Sequence, residues 1–450
     1  MSPAAEAPHP PFRHGDDGTA EQVWLEAPQW QATPRVGLPE GVRRLLVVAA
    51  HPDDETLTAG GLVALAARAG LQVDVVVATD GSASHPGSPT HSRAALAALR
   101  AREVTEALDR LAPEARLHRL GLDDGELAGA GATLTERLVD IVGRDGATTL
   151  VVSTWHGDRH PDHVAAAEAA AVTAWRTDAT LWQAPIWAWA WGTPADLPWD
   201  SARVVELPGD VHGRKLAAIE HHVSQVQPLS DLPGDEALLS QPFLEHFRRD
   251  AELFIAVEPD RSTPFDALHT AESDPWQVRS SWYETRKRAV TVASLPHERY
   301  DRAIDIGCST GGLSAELATR CGWLLAVDES EIAVRQAQHH LIVHRGVEVC
   351  RLDMPEQWPD RTVDLVVVSE TGYFLSPGRL DALVGCIRRS LAPGGVVLAC
   401  HWRHDIRGWP LDGPQVHALM HDGLGLRRTV QHDEDDFLLS VWSDEPGTGA

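Results

Sequence analysis

Two Rossmann-like three-layer αβα units in tandem, an α/β fold throughout, are what the 450-residue sequence predicts. Two observations carry this. Apolar runs of buried-strand length, in segments 43–61, 148–170 and 300–320, each break into a dense polar or glycine-rich turn and then become helical at once. The turns also change character along the chain: His and Asp crowd the first two, glycine the third. Length alone suggests about three domains, but two α/β units with tails fit the pattern better.

Taken in order, residues 1–41 are proline-rich and aperiodic and read as an amino-terminal arm, with Trp24 and Trp30 as contacts to the domain that follows. That first domain is expected over 42–258. Its opening strand, RRLLVVAA, ends in His51, Asp53, Asp54 and Glu55 with no room between them. A packed core has no use for such a cluster, whereas the carboxyl ends of strands in open α/β sheets are where ligands bind. Further on, the strand TTLVVST runs into His156, Asp158, His160, Asp162 and His163. One such knot reads as helix capping and a polar network. Two on one sheet can converge, and hard or borderline ligands without cysteine suit zinc or a similar divalent ion. Beyond them Trp187, Trp189 and Trp191 fall at strand spacing. That spacing predicts one aromatic face, flanked by Trp182 and Trp199, which stacks on sugar rings, packs an edge strand or forms a dimer contact.

AHPDDE followed by HPDH resembles the PIG-L/LmbE family of zinc-dependent de-N-acetylases. Arg100 and Glu103 in LRAREVTEAL, Asp124 in GLDDGEL, and KLAAIEHHVSQ with His222 extend the likeness over residues 43–258. The resemblance implies His51, Asp54 and His163 as metal ligands, Asp53 as general base, and His160 as the group that stabilises the oxyanion or protonates the leaving amine. It implies Asp162 as the residue that orients His160, and Arg100, Asp124 and His222 as substrate contacts. Two neutral imidazoles and one carboxylate leave a divalent ion net positive with an open position. Where some relatives carry an oxyanion-assisting tyrosine, this chain has Asp158, read as a substrate-hydroxyl acceptor or a solvated loop acid.

Residues 259–274 have prolines and little apolar periodicity and read as a linker. The second domain is expected over 275–443, with a short tail at 444–450. YDRAIDIGCSTGGL is strand, glycine-rich turn and helix, with D-x-G-x-S-x-G running from Asp305 to Gly311. Alone that is weak evidence for a nucleotide ligand. Here a next strand ends in Asp328, a third reaches Asp353, a fourth ends in Ser369 and Glu370, and a fifth follows LAPGG.

The ordered series resembles class I S-adenosylmethionine methyltransferases. DPWQVRSSWYETRKRAVTVASLP, DIGCSTG, LAVDES, VVSETGYFL and HWR together resemble NodS, the nodulation-factor N-methyltransferase family, whose members methylate a free amine on a terminal sugar. From that resemblance, the turn of Asp305, Gly307, Cys308, Ser309 and Gly311 approaches the methionine end of S-adenosylmethionine and Ser369 borders the cofactor. Asp328 would hold the ribose, Asp353 the adenine amino group, and Tyr283 with Arg286 would cap the site. A protonated amine cannot attack a sulfonium methyl, so Glu370 is the candidate for removing or orienting that proton. Tyr373 and His401 are further acceptor contacts.

Net charge −26 argues against nucleic acid or an anionic membrane as partner. Five cysteines, all beyond residue 300 and none in a C-x-x-C pair, suit free thiols in a reducing cytosol. No run reaches transmembrane length and no amino-terminal segment reads as a signal peptide. These features predict a cytoplasmic enzyme acting on a small aminosugar or glycoside, without fixing an oligomeric state. Its two halves are expected to deacetylate a nitrogen and then methylate it. The alternatives are two independent tailoring steps on a secondary metabolite or thiol-sugar conjugate, or a sugar-binding protein without catalysis.

Overall fold

A computed structural model describes residues 18–258, 264–272, 274–278 and 280–444. The chain divides near residue 260 into two compact units.

The first unit is built on seven strands: β1 (Arg44–Ala49), β2 (Gln72–Thr79), β3 (Arg116–Leu122), β4 (Thr149–Thr154), β5 (Thr180–Ala184), β6 (Ala202–Glu206) and β7 (Ala251–Val257). Their order in the sheet is β3-β2-β1-β4-β5-β7-β6. β3 through β5 are parallel, and β7 runs antiparallel to both its neighbours. Both faces are covered, which is why β1 is buried at every position and apolar without alternation from Leu45 to Ala49. Leu45, Val47 and Ala49 enter one core cluster, Leu46 and Val48 the other. The order reverses between β1 and β4, the switch point where such sheets bind ligands, and both polar turns of the sequence lie there.

Helix Asp54–Arg68 packs close to the sheet because Gly61 permits it. A Cβ at Gly61 would lie 2.5 Å from Leu207 and 3.0 Å from Glu252 Oε1. Between the faces, Asp74 is buried on β2 and accepts from Arg44 Nε at 2.9 Å, Gln72 Nε2 at 2.8 Å and His118 Nε2 at 2.8 Å. Burial alone would raise its pKa, but His118, Gln72 and Arg44 outweigh burial and hold the carboxyl below its usual value. A depressed folded pKa gives stability that is complete above the unfolded value, about 3.9, and is lost as pH falls through the folded one. Acid titration followed by circular dichroism should therefore show the first unit weakening below about pH 4, with a shallower acid dependence in Asp74→Asn.

The tryptophan-rich segment departs from expectation. Residues 188–191 form a short helix instead of a strand, so Trp187, Trp189 and Trp191 do not share a face. Trp187 stacks on Phe243 at 4.9 Å and Trp189 meets Trp24 edge-on at 4.8 Å, both within a core cluster that also takes Trp30. Trp182 packs on Phe254 in the other cluster. These rings are core and not a sugar platform. Trp24 and Trp30 of the arm are buried in the first unit, while residues 1–17 lie outside the described residues.

The second unit repeats the plan with β8 (Tyr300–Ile306), β9 (Cys321–Asp328), β10 (Val347–Arg351), β11 (Val363–Ser369), β12 (Leu391–Trp402), β13 (Arg428–Asp433) and β14 (Phe437–Ser443). The order is β10-β9-β8-β11-β12-β14-β13, again parallel until β14 inserts antiparallel between β12 and β13. Part of the expected linker is structured: Pro264–Ala271 is a helix whose Asp266 accepts from Ser330 Oγ at 2.6 Å. Residues 259–263 and the tail from 445 lie outside the described residues.

Candidate functional site

In the first unit, the turn after β1 and the turn after β4 bring His51, Asp54 and His163 together, with one potential ligand atom from each within 4.8 Å of the others. Their free lone pairs follow from what holds the opposite edge of each ring. His163 Nδ1 sits 2.6 Å from Asp158 Oδ2, so it donates there and leaves Nε2 bare. Among the described residues that Nε2 is buried without a hydrogen-bond partner, and it lies 3.5 Å from Asp54 Oδ1. His51 Nε2 faces Asp162 Oδ2 at 3.1 Å and Asp124 Oδ1 at 3.2 Å, which turns Nδ1 toward Asp54 Oδ2 at 3.5 Å. Burial disfavours a charged His51, yet Asp124, Asp162 and Asp54 outweigh it and raise its pKa well above normal. A pocket that attracts positive charge this strongly, with an orphaned imidazole nitrogen aimed into it, fits a divalent cation.

Asp53 adjoins this set in a strained backbone, with φ 138°. Arg100 Nη2 donates to Asp53 Oδ1 at 2.9 Å and to Pro52 O at 2.6 Å, while Glu55 Oε2 accepts from the Asp53 amide at 3.0 Å. Burial pushes the Asp53 carboxyl up to about 6 against the pull of Arg100. His160 Nδ1 accepts from the Asp162 amide at 3.2 Å, which places the ring proton on Nε2 as a donor.

Several expected roles change. Arg100 is 3 % exposed and fixes Asp53, with a second bond to Gly81 O, so it is not a substrate contact. His222 is buried on Thr56 Oγ1 at 3.0 Å and is likewise no substrate contact. Asp124 braces His51 and accepts from the Ala83 amide at 2.6 Å. The Asp162 carboxylate orients His51 through Nε2 and takes the Gly125 and Leu127 amides; only its backbone reaches His160. Asp158 is neither a substrate acceptor nor solvated. It is fully buried, takes the Ile186 amide at 3.0 Å and the Ala188 amide at 2.8 Å, and positions His163. No spacing rule could have found this, because both amides come from a segment about 30 residues downstream. Asp158→Asn should lower zinc affinity by about 10–100-fold in a competitive chelator titration.

In the second unit a cavity of about 180 Å³ opens at the carboxyl ends of β8, β9 and β11. Gly307 takes φ 71° in the turn, and a Cβ there would strike Thr371 Oγ1 at 2.0 Å, so the close backbone approach requires glycine. Asp305, Cys308, Ser309, Asp328 and Ser369 line the cavity. Asp328 takes the Ser309 and Ser330 amides, both at 2.9 Å, one on each carboxylate oxygen. Asp305 accepts from Ser314 Oγ at 2.6 Å, and burial pushes its carboxyl up to about 7.

Other expectations fail here for local reasons. Gly311 packs against Leu341 and Ala337 as the helix start, outside the cavity lining. Arg286 points to solvent in an ion pair with Glu434 at 2.5 Å. The Asp353 carboxylate is taken by Arg379 at 2.5 Å, and its neighbours Leu352 and Met354 line the cavity instead. Tyr283 packs edge-on to Trp402 at 5.4 Å rather than over the cofactor turn. His401 is fully buried: it accepts from the Gly372 amide at 3.0 Å and faces His417 Nε2 at 3.0 Å, and burial lowers its pKa to about 3. It supports the turn that carries Tyr373 and does not touch the acceptor space.

Glu370 and Tyr373 do line the cavity, together with Glu284, Lys287, Phe265 and His269, which sequence reasoning missed. A signal existed for one pair. Glu284 and Lys287 stand three apart on one helix face, the spacing of an ion pair.

Residues 46–174 match the family model of GlcNAc-PI de-N-acetylase, and residues 303–395 match that of a methyltransferase domain. Set on these two sheets, the sites belong to a two-unit α/β protein whose first part matches a family of amide hydrolases and whose second part matches a methyltransferase domain. A 1D-myo-inositol 2-acetamido-2-deoxy-alpha-D-glucopyranoside deacetylase of Tsukamurella paurometabola is 31% identical over 267 residues, covering 45% of this chain and 90% of that protein. The chain belongs to the PIG-L de-N-acetylase family and carries a methyltransferase domain behind that part.

Nodulation protein S of Rhizobium tropici is 26% identical over 155 residues, 32% of this chain; the chain spans 65% of the length of that protein. The solved N-methyltransferase NodS from Bradyrhizobium japonicum, in complex with S-adenosyl-l-homocysteine, is 21% identical and covered over 100% of its length by 42% of this chain, at a TM-score of 0.38.

Proposed function

We propose that the first unit hydrolyses an N-acetyl group on an N-acetylglucosamine-type sugar or glycoside, and that the second methylates the amine so released. The observation that carries this reading is the pairing, in one chain, of a cation-attracting His–Asp–His set beside Asp53 with a cofactor cavity lined by Glu284 and Glu370. An aminosugar is the product of the one and a cation suited to the carboxylates of the other.

His51 Nδ1, Asp54 and His163 Nε2 would hold a zinc-type cation, which supplies Lewis acidity to the amide carbonyl and acidifies water. Asp53 removes the proton of the attacking water, held in place by Arg100. His160 donates its Nε2 proton in a hydrogen bond to the carbonyl oxygen as charge develops there. The amide C–N bond breaks, acetate leaves, and the proton taken up by Asp53 passes to the departing nitrogen, which becomes the free amine. In the second unit S-adenosylmethionine supplies the methyl group. The amine lone pair forms the N–C bond, the C–S pair stays on sulfur, and a proton leaves the new ammonium. Asp328 and the Gly307 turn would hold the cofactor, and Glu370 would meet the amine N–H. Among the described residues no helix is long and apolar enough to cross a membrane.

The order of steps is testable with zinc, methyl-labelled S-adenosylmethionine and either N-acetylglucosamine or glucosamine. Acetate release should precede label uptake from the first sugar, and glucosamine should be labelled without a lag. Label on oxygen or carbon, or on the intact acetamide, would overturn the sequence of steps and favour two separate tailoring reactions.

A further inference from the structure

Glu370 is held by four groups. It follows β11 in a left-handed backbone, φ 57°, with its amide on Cys400 O at 2.9 Å. Its Oε2 accepts from the Tyr373 hydroxyl and from the Trp402 amide at 3.2 Å. Its Oε1 accepts from Lys287 Nζ at 2.9 Å. Lys287 is itself 4 % exposed, bonded to Glu284 Oε1 at 2.7 Å, and lies 4.9 Å from the Tyr283 ring centre. A carboxylate offers about four lone pairs. Among the described residues three are used, two on Oε2 and one on Oε1, which leaves a single acceptor position on Oε1. The Glu370 side chain is still 28% exposed and lines the cavity, so a donor in that space can reach the carboxylate.

Resting on the reading of the second unit as an amine methyltransferase, we infer that Glu370, set by the positioning residue Lys287, grips one N–H of the acceptor, so that methylation stops at the tertiary amine. A primary amine has two N–H groups and a secondary amine one beyond its lone pair; each can donate to Oε1 while the lone pair attacks the methyl. A tertiary amine has none, and binding it would bury the Oε1 lone pair without a donor. Sites built to bond an N–H reject analogues that lack it by about 10⁴-fold or more. Glu370 so engaged orients the nucleophile, and the proton of the new ammonium leaves to solvent after transfer.

The test uses the whole chain with labelled S-adenosylmethionine and three probes: glucosamine, N-methylglucosamine and N,N-dimethylglucosamine, with products read by mass. The first two should accept label and the third should not. Lys287→Met should cut kcat on the first two by about 10²-fold, the scale of a misplaced reacting group, with KM moved far less, and Lys287→Arg should restore part of the rate. S-adenosylhomocysteine binding by calorimetry reports whether each variant keeps its cofactor site. A quaternary product at a comparable rate overturns the inference while leaving N-methylation standing. A Lys287→Arg protein that binds S-adenosylhomocysteine but is as slow as Lys287→Met, or a Lys287→Met protein at the wild-type rate, removes the positioning role. Label on sugar oxygen, or on none of the three, overturns the amine-methyltransferase reading itself.

Discussion

Asp53→Asn is expected to slow release of acetate by about 10²–10⁴-fold, the usual contribution of a general base, while zinc uptake stays at the wild-type stoichiometry. Asparagine is the informative change because its carbonyl oxygen still accepts from Arg100, which is buried and bonded to Asp53 Oδ1 at 2.9 Å. Alanine would instead leave a guanidinium unpaired in the interior and confuse lost chemistry with lost stability. The metal set of His51, Asp54 and His163 is untouched by the substitution. Acetate release and bound zinc, measured on one preparation, separate the roles of neighbouring aspartates. An Asp53→Asn protein with full zinc and the wild-type rate would take the base assignment away.

Lys215→Met should bring the largest loss of stability. Lys215 Nζ lies 2.7 Å from Glu252 Oε1 with both side chains almost wholly buried, and Glu252 also accepts from the Gly61 amide at 2.7 Å and the Leu62 amide at 2.8 Å. Burial lowers the Lys215 pKa, and the Glu252 carboxylate opposes that shift. Removing only the cation leaves the buried Glu252 carboxylate with its two amides but without its bonded counter-charge, a cost of about 3–5 kcal/mol. For a unit of this size that is a fall of roughly 6–20 °C in Tm. The double variant Lys215→Met/Glu252→Gln should recover part of the loss, since no uncompensated charge remains. Calorimetry on the full chain checks this; an unchanged first transition in Lys215→Met would show that the pair contributes nothing.

The α/β class and the switch-point position of each site were legible in the sequence because they depend on short-range patterns: an apolar run, a turn, a helix. His51, Asp54 and His163 were legible for the same reason, since strand ends β1 and β4 are neighbours in any sheet of this order. The roles of Asp158, Asp124 and Arg100 were not. Each depends on a partner brought in by tertiary packing: amides at Ile186 and Ala188, an amide at Ala83, a carbonyl at Gly81. Trp187 and Trp189 show the opposite failure. Alternation by two looked like a strand, yet the core beside Phe243 and Trp24 was large enough to take the rings into a helical turn. In the second unit, Asp353 was misplaced because Arg379, on a helix that packs nearby, claims its carboxylate.

Both sheets finish in the same way: the last strand of each, β7 or β14, is not an edge but is inserted between two strands made earlier. Neither sheet can be completed until its final segment has been synthesised and has threaded into that gap. Residues 437–443 are buried at every position and pair on both sides. The end of the second unit is therefore a keystone. Trimming into it would open the sheet from the inside, whereas an extension placed after residue 444 would leave the strand in its slot.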